Sequence, residues 1–449
     1  MADDNTDVVT IDRNPGEGLR STVTAALQHP RYGAAIKLLL AYVFLIEIAV
    51  QLLFGRLQYF GLDVGLQDHT VPHEIFLNGA AVGLLYALLG MGLILTYRAN
   101  RIINFAQAQL GSVPAVTALL LMLRKGVNYF LVVPIVIVGA ILLGALVEIL
   151  FIRRFRNAPR LIVTVATIGV SILLVALELG VQKWITGELI TSSAFTTPWS
   201  RFHLDLGALR FDGNFLVAPI VTIVICIGLG AFFKFTDMGI AIRASAENGE
   251  RASLLGIPIN RVSTVVWIMA AVMSAIAVFL RAPVSGLTVG SSIGPSVLLY
   301  GLAAAVIARM ESLPMCVIAG MGIGIVDQSA LYGTRRSSLA IAIMLVVILI
   351  ALLAQKGRMA RALDAGVSTW QAAKEYRPIP QELRNVAEVV MAKGAVINII
   401  LFFTVILPLV LDEKYAGRFT IVTITAMVGV SLVVLTGWAG QISLGQFGF

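Results

Sequence analysis

The chain is poor in the groups from which soluble catalytic sites are built. Only 13% of its 449 residues are charged, and it holds four histidines and two cysteines, where a soluble domain would carry about 25% charge. His29, His69, His73 and His203 fall in tails or loops outside the apolar runs, with no metal-like pair inside a helix, so neither a metal centre nor an intramembrane enzyme is expected. Cys226 and Cys316 each sit in an apolar run without metal-ligand spacing, and read as small packing residues that leave the redox compartment open. No G-x-x-x-x-G-K-[ST] run occurs, so nothing in the chain should cradle nucleotide phosphates. Alternation of polar and apolar residues over segments of about ten is also absent, which argues against a membrane β-barrel. The net charge of +8 comes without a soluble basic face, so no nucleic-acid partner is expected.

What the chain has is apolar length. It is 58% hydrophobic, with a mean hydropathy of +0.91. Twelve runs approach spanning length, at 36–54, 75–97, 106–123, 131–152, 161–181, 215–235, 262–280, 296–310, 313–332, 338–354, 395–411 and 419–436. A hydrocarbon core about 30 Å thick needs about 20 helical residues, so the shorter runs are expected to tilt or break. The class expected is all-α, a polytopic helical membrane protein. The first run lacks a small-residue cleavage site and reads as a retained helix behind a polar tail, 1–35. With the N-terminus in the cytoplasm, about two thirds of the 33 Lys and Arg fall on the inner loops, anchored by RRFRNAPR and the stretch 355–394.

The chain also repeats itself. AMVGVSLVVLTGWAGQISLGQFG, Ala426–Gly448, aligns without gaps on ALLGMGLILTYRANRIINFAQAQ, Ala87–Gln109. Two homologous membrane halves are a common transporter plan, and the second half is expected to be cut off at Phe449. The organisation expected is a cytoplasmic tail (1–35), an added N-terminal helix with an outer loop (36–74), a complete membrane domain (75–354), a cytoplasmic linker (355–394) with Pro378 and Pro380, and the start of a second domain (395–449). The polar stretch 183–214 reads either as a loop that meets a delivery protein or as a plain connector.

Polar residues inside apolar sequence are the candidates for a translocation path. In INFAQAQLG, the amides Asn104, Gln107 and Gln109 either line a polar break suited to a zwitterion or bond neighbouring helices. Glu178 and Asp327 are the acids most deeply set in apolar runs, ahead of Glu47 and Glu148, and intramembrane acids are functional candidates by default. Their positions near helix ends favour snorkelling to the interface. Gly79 with Gly83, and Gly320 with Gly324, have the small-xxx-small spacing of close helix packing.

One inner loop narrows the reading. Asp237–Val262, DMGIAIRASAENGERASLLGIPINRV, has helix-compatible Ala, Ser, Glu and Arg before Gly256 and Pro258. Ala244, Ala252, Leu255 and Ile257 are expected to face a partner while Glu247, Glu250 and Arg251 stay in water. The segment resembles the coupling loop of bacterial ABC importer permeases, and RASAENGERASLLGI is close to the form in branched-chain amino-acid permeases of the Liv type. NGAAVGLLYALLGMGLILTYRANRIINFAQAQLG is similar to the opening of their H-type subunit, and AMVGVSLVVLTGWAGQISLGQFGF to that of their M-type subunit. Where the family usually has a glycine-rich turn, this chain reads AAAVIARMESLPMC, with Ala308, Arg309 and Met315 at positions often held by small residues.

The resemblance implies an H-type permease fused to the start of an M-type one, in a bundle of about nine helices plus an added N-terminal helix. It implies a multi-pass protein of the bacterial inner membrane, in contact with lipid, that imports branched-chain or similar apolar amino acids. The partners implied are two ABC ATPase subunits, an extracytoplasmic solute-binding protein and the rest of the M-type half. Ala244, Glu247, Arg251, Ala252 and Gly256 would form the ATPase contact. No cofactor is expected on this chain; ATP and Mg would bind the partner ATPases, so the chain itself would be no enzyme. Alternatives are an ABC permease for urea, a short amide or a sugar, and an ion-coupled secondary transporter. The second counts on acids in matched positions of both halves, and none lies between Phe419 and Phe449.

Overall fold

The computed structural model describes residues 33–59, 62–65, 70–155, 158, 160–187, 192–193, 197–206, 209–285, 287–288, 294–334, 337–354, 386–406 and 413–433. They belong to two compact units, 1–365 and 366–449. Most of the expected tail and of the expected linker, and the polar part of the second repeat copy, lie outside the described residues, while Gly33–Ala35, expected in the tail, open the first helix.

In the first unit each apolar run becomes a helix: α1 (Gly33–Phe54), α2 (His73–Asn100), α3 (Gln107–Lys125), α4 (Tyr129–Val147), α5 (Arg160–Thr186) and α6 (Gly213–Phe235). Two short helices follow, α7 (Asp237–Glu247) and α8 (Gly249–Leu254), then α9 (Ile259–Ser285), α10 (Gly294–Ile307), α11 (Leu313–Thr334) and α12 (Ser337–Ala354). Six of the described helical stretches are long and apolar enough to cross a membrane, among them α2, α6, α9 and α11. α4 runs on through a π turn, Glu148–Ile152, and a 3-10 turn, Arg153–Phe155, before α5.

α2 is apolar on every side, and such a helix is stable only when wrapped by others. The burial of 94% of its most apolar stretch shows that it is the axis of the bundle, flanked by α6, α9, α10 and α11. Lipid tails are as apolar as leucine, so helices associate in a membrane largely through close packing rather than hydrophobic drive. α2 and α11 achieve this with glycine against glycine. A Cβ on Gly79 would lie 2.7 Å from the Ile325 Cα, and one on Gly83 would lie 2.8 Å from the Met321 Cα. The two small-xxx-small pairs seen in the sequence are thus the two sides of one interface. α9 is the second internal helix, packed on α2, α3 and α4, with Trp267 fully buried. α4, α5, α6 and α12 present Leu142, Ile172, Ile223 and Leu349 outward, as a lipid-facing shell would.

One end of the bundle, where α2 begins, carries features the sequence reading lacked: three two-stranded antiparallel ribbons. They are β1 (Arg56–Tyr59) with β2 (Leu62–Gly65), β3 (Ser192–Ser193) with β6 (Leu287–Thr288), and β4 (His203–Leu206) with β5 (Leu209–Asp212). Strands of two to four residues are too short to show alternation. Beside the last ribbon, the Thr197 hydroxyl donates to the Asn214 side-chain oxygen at the start of α6. His73, expected in a loop, is the first residue of α2, where its Nδ1 lies 3.4 Å from Glu47.

At the other end, α10 and α11 are joined by a turn in which Arg309 and Met310 have φ of 58° and 55°. This is the stretch AAAVIARMESLPMC, where the resemblance led to an expected glycine-rich turn. Two consecutive non-glycine residues in the left-handed region cost about 1–2 kcal/mol each. Cys316 is buried at the start of α11, its thiol 3.7 Å from the Ala87 carbonyl oxygen, and Cys226 is half-buried on α6.

In the second unit, α13 (Ala387–Leu401) continues through a π turn, Phe402–Ile406, and α14 spans Glu413–Val433. Ala387–Gly394, expected in the linker, is therefore helical. α13 buries none of its side chains.

Two substitutions test this packing. Gly83→Ala is expected to lower stability by about 1–3 kcal/mol through overpacking. Arg309→Gly, at an exposed position, is expected to raise it by about 1 kcal/mol by relieving the left-handed residue. Both are read from reversible unfolding in detergent.

Candidate functional site: coupling segment and buried polar groups

The expected coupling segment is a helical hairpin with a cap at every junction. The Thr236 hydroxyl oxygen accepts from the Gly239 N–H at 3.0 Å and starts α7. Asn248, extended at φ −153°, ends α7 and caps α8, its side-chain oxygen accepting from the Arg251 N–H at 3.0 Å. Gly256, at φ +84°, turns the chain out of α8, and the Pro258 carbonyl oxygen accepts the first bonds of α9. The segment is fastened to the bundle where the Arg101 guanidinium donates to the Ala246 carbonyl oxygen at 2.7 Å. Arg101 is itself left-handed, at φ 55°, and closes α2.

Glu247, Arg251 and Gly256 are exposed and Ala244 is half-buried. Ala252, expected to face a partner, is instead 3% exposed, because its carbonyl oxygen accepts from the Ile257 N–H and folds the turn over it. The outward apolar surface belongs to Leu254 and Leu255, 86% and 82% exposed. The sequence reading named Leu255 among the apolar residues of this loop, and Leu254 was not among them. Beside α7 lies an open depression of about 410 Å³ lined by Arg98, Arg101, Arg243, Glu247, Met310 and Glu311. Glu250 has no described side chain.

Asn104 and Gln107 are fully buried and bonded within the chain. Asn104 donates to the Gln107 side-chain oxygen at 3.1 Å and accepts from the Ala106 N–H at 3.0 Å, fixing the break between α2 and α3. Gln107 donates to the Ala270 carbonyl oxygen at 2.9 Å, and Ser274 donates to the Gln107 carbonyl oxygen at 2.6 Å. Both tie α3 to α9. Gln109 differs, because its side-chain oxygen is buried without a hydrogen-bond partner.

The acids do not snorkel as expected. Glu178 is 1% exposed and accepts from the Ser112 hydroxyl at 2.7 Å. Glu148, also 1% exposed, pairs with Arg153 at 2.9 Å and accepts from Thr264 at 2.8 Å. Asp327, 7% exposed, accepts from the Tyr86 hydroxyl and from the Gln328 amide, each at 3.2 Å. Hydroxyls on facing helices hold these carboxylates inside the bundle, which removes the drive towards the interface. Among the described residues, no group of three His, Cys, Asp or Glu could hold a metal ion.

A polytopic bundle with an all-apolar axis, a lipid-facing shell and a capped hairpin between two of its helices is the membrane domain of a multi-pass transport protein. Residues 75–352 match the family of branched-chain amino acid transport system permease components. The chain belongs to that family. It is 30% identical over 287 residues to the high-affinity branched-chain amino acid transport system permease protein LivH of Escherichia coli strain K12, which covers 61% of this chain and 91% of LivH. It is 26% identical over 264 residues to the corresponding permease protein BraD of Pseudomonas aeruginosa, covering 56% of this chain and 83% of BraD. Among solved structures, PsaBC from Streptococcus pneumoniae is 14% identical with a TM-score of 0.36, covering 62% of this chain and 90% of that one.

Asn248→Ala is expected to cost about 1 kcal/mol of local stability by removing the α8 cap, seen as faster amide exchange across 249–254 with α9 unchanged.

Proposed function

We propose that the chain is a membrane subunit of an ATP-driven importer for branched-chain or similar apolar amino acids. The observation that carries this reading is the α7–α8 hairpin. It is capped at each junction, tied to the end of α2 through Arg101 and Ala246, and bears Leu254 and Leu255 in full exposure beside Glu247 and Arg251. A rigid tip with two apolar side chains and a charged rim suits a groove on a soluble partner. The partner is an ABC ATPase, which binds ATP and Mg in place of this chain, and a complete transporter carries two. The solute comes from the names of the relatives. A zwitterion with an apolar side chain also suits a bundle whose internal amides are neutral.

The same reading sets the orientation. Arg98, Arg101, Arg153, Arg154, Lys234, Arg243, Arg251, Arg261 and Arg309 gather at the hairpin end, which the positive-inside tendency places in the cytoplasm together with the N-terminus. The ribbons at the opposite end then face a solute-binding protein. On this reading the 395–449 stretch, which repeats part of the first domain, corresponds to the opening of an M-type half behind the H-type one.

The reading is tested in vesicles holding the full transporter with its ATPases and binding protein. ATP-dependent uptake of labelled leucine, with none of urea or ribose, is expected; uptake that persists without ATP defeats it. Leu254→Asp with Leu255→Asp is expected to abolish solute-stimulated ATP hydrolysis while leaving the protein inserted. Gly256→Pro should do the same, since proline cannot take a positive φ.

A further inference from the structure

The depression beside α7 is used by none of the roles above. It lies where three parts of the bundle meet at the hairpin end: α7 with Arg243, Ala246 and Glu247, the end of α2 with Arg98 and Arg101, and the α10–α11 turn with Met310 and Glu311. Its volume of about 410 Å³ is that of a small-molecule site. Two of its arginines are braced on backbone carbonyl oxygens rather than on carboxylates. Arg101 donates to that of Ala246 at 2.7 Å and Arg98 to that of Glu311 at 3.5 Å, so each keeps its charge and further donors. Among the described residues, neither Glu247 nor Glu311 forms an ion pair within 4.0 Å with any of the three arginines.

The backbone takes an unusual shape at this place. Arg101, Arg309 and Met310, at φ of 55°, 58° and 55°, are the non-glycine residues with positive φ among the described residues. Arg101 and Met310 line the depression, and Arg309 adjoins Met310. A turn that only joined two helices would take glycine there without strain. Left-handed residues with a Cβ persist where their surroundings over-determine them, and they cluster at ligand sites and switches.

The lining also selects the occupant. A plain anion site would hold no carboxylates, and a cationic segment would meet three arginines. A group with one negative and one positive end satisfies both sets, because the arginine fork fits a carboxylate and Glu247 and Glu311 attract an ammonium. Met310 and Ala246, both buried, add an apolar wall, and methionine adapts to varied side chains.

We propose that this depression is a regulatory site, at the cytoplasmic end, for a free zwitterionic α-amino acid with an apolar side chain, the released product of import. Its carboxylate meets Arg98 and Arg243, its ammonium meets Glu247 and Glu311, and its side chain lies on Met310. Such an occupant ties α7 to α2 and to the α10–α11 turn. It thereby restrains the hairpin and slows ATP hydrolysis by the partner as product accumulates. The inference rests on the amino-acid importer reading.

The test uses vesicles holding the full transporter with its ATPases, the hairpin end outward and the loaded binding protein enclosed. The initial rate of hydrolysis of outer ATP is read while one of three probes is added outside: leucine, 4-methylpentanoate, which lacks the ammonium, or 3-methylbutylamine, which lacks the carboxylate. Leucine is expected to inhibit, and the other two to need concentrations about tenfold higher or more. Arg243→Gln is expected to raise the half-inhibiting concentration of leucine and of 4-methylpentanoate about tenfold and to leave that of 3-methylbutylamine unchanged. Glu311→Gln is expected to weaken leucine and 3-methylbutylamine and to leave 4-methylpentanoate unchanged. Hydrolysis without a probe is expected to stay at the wild-type rate in both. Should Arg243→Gln lower that rate, Glu311→Gln reads the same site from outside the hairpin. Inhibition by leucine that is unchanged in Glu311→Gln belongs to the transport path and overturns the site, as does a parallel loss of all three probes. Equal inhibition by 4-methylpentanoate and leucine marks a plain anion site and overturns the zwitterion assignment. Leucine import with hydrolysis indifferent to outer leucine overturns the site alone, whereas import of urea or ribose in place of leucine overturns the amino-acid reading and the feedback role together.

Discussion

The structure depends on the backbone approach of α2 to α11. A membrane offers apolar helices no reason to prefer one another over lipid, so the bundle needs at least one contact that lipid cannot match. Gly79 and Gly83 against Gly320 and Gly324 supply it, with backbone resting on backbone. Once α11 is seated, α2 is enclosed by α6, α9 and α10 as well, and its continuous apolar sequence becomes an axis. The same contact sets Asp327, three residues beyond Gly324, within reach of Tyr86, three residues beyond Gly83. Packing and polar placement therefore have one origin.

The second constraint is that every polar group inside such a bundle needs an internal partner. The chain meets it with short local devices. Asn104 folds onto Gln107 at the α2–α3 break, Gln107 and Ser274 lock α3 to α9, Ser112 holds Glu178, and Arg153 with Thr264 holds Glu148. Against this background the Gln109 side-chain oxygen, the Nε of Arg153 and of Arg281, and the Thr222 and Ser329 hydroxyls are among the exceptions. Buried groups without partners carry a cost of about 1–3 kcal/mol each.

Helix positions were the legible part of the sequence, because a run of about 20 apolar residues has few other solutions in lipid. The twelve apolar runs correspond to α1–α6, α9–α12, α13 and α14. Side-chain direction was less legible. Glu178 and Asp327 stand near helix ends in sequence, which suggested snorkelling, but the inward or outward sense of a residue depends on which neighbours surround its helix. α2 and α11 are inner, and no periodicity in sequences apolar on all sides could show this. Ala252 lies inside α8, and its burial comes from the turn after that helix, where the left-handed Gly256 brings the Ile257 N–H back onto the Ala252 carbonyl oxygen. The ribbons left no trace because their strands are shorter than one repeat of the pattern that would reveal them.

α9 gives these parts a common mechanical element. It starts directly after the hairpin at Pro258 and passes Ser274, where α3 is locked to it. It reaches Arg281 about 33 Å further along at 1.5 Å per residue. Pro283 lies beyond Arg281, so the span between the hairpin and Arg281 is free of the residue that most often kinks a helix. A displacement of the hairpin by a partner would be transmitted along α9 with little bending, and the Gly144 and Gly111 contacts on its flanks involve backbone and small side chains, which favour sliding over compression.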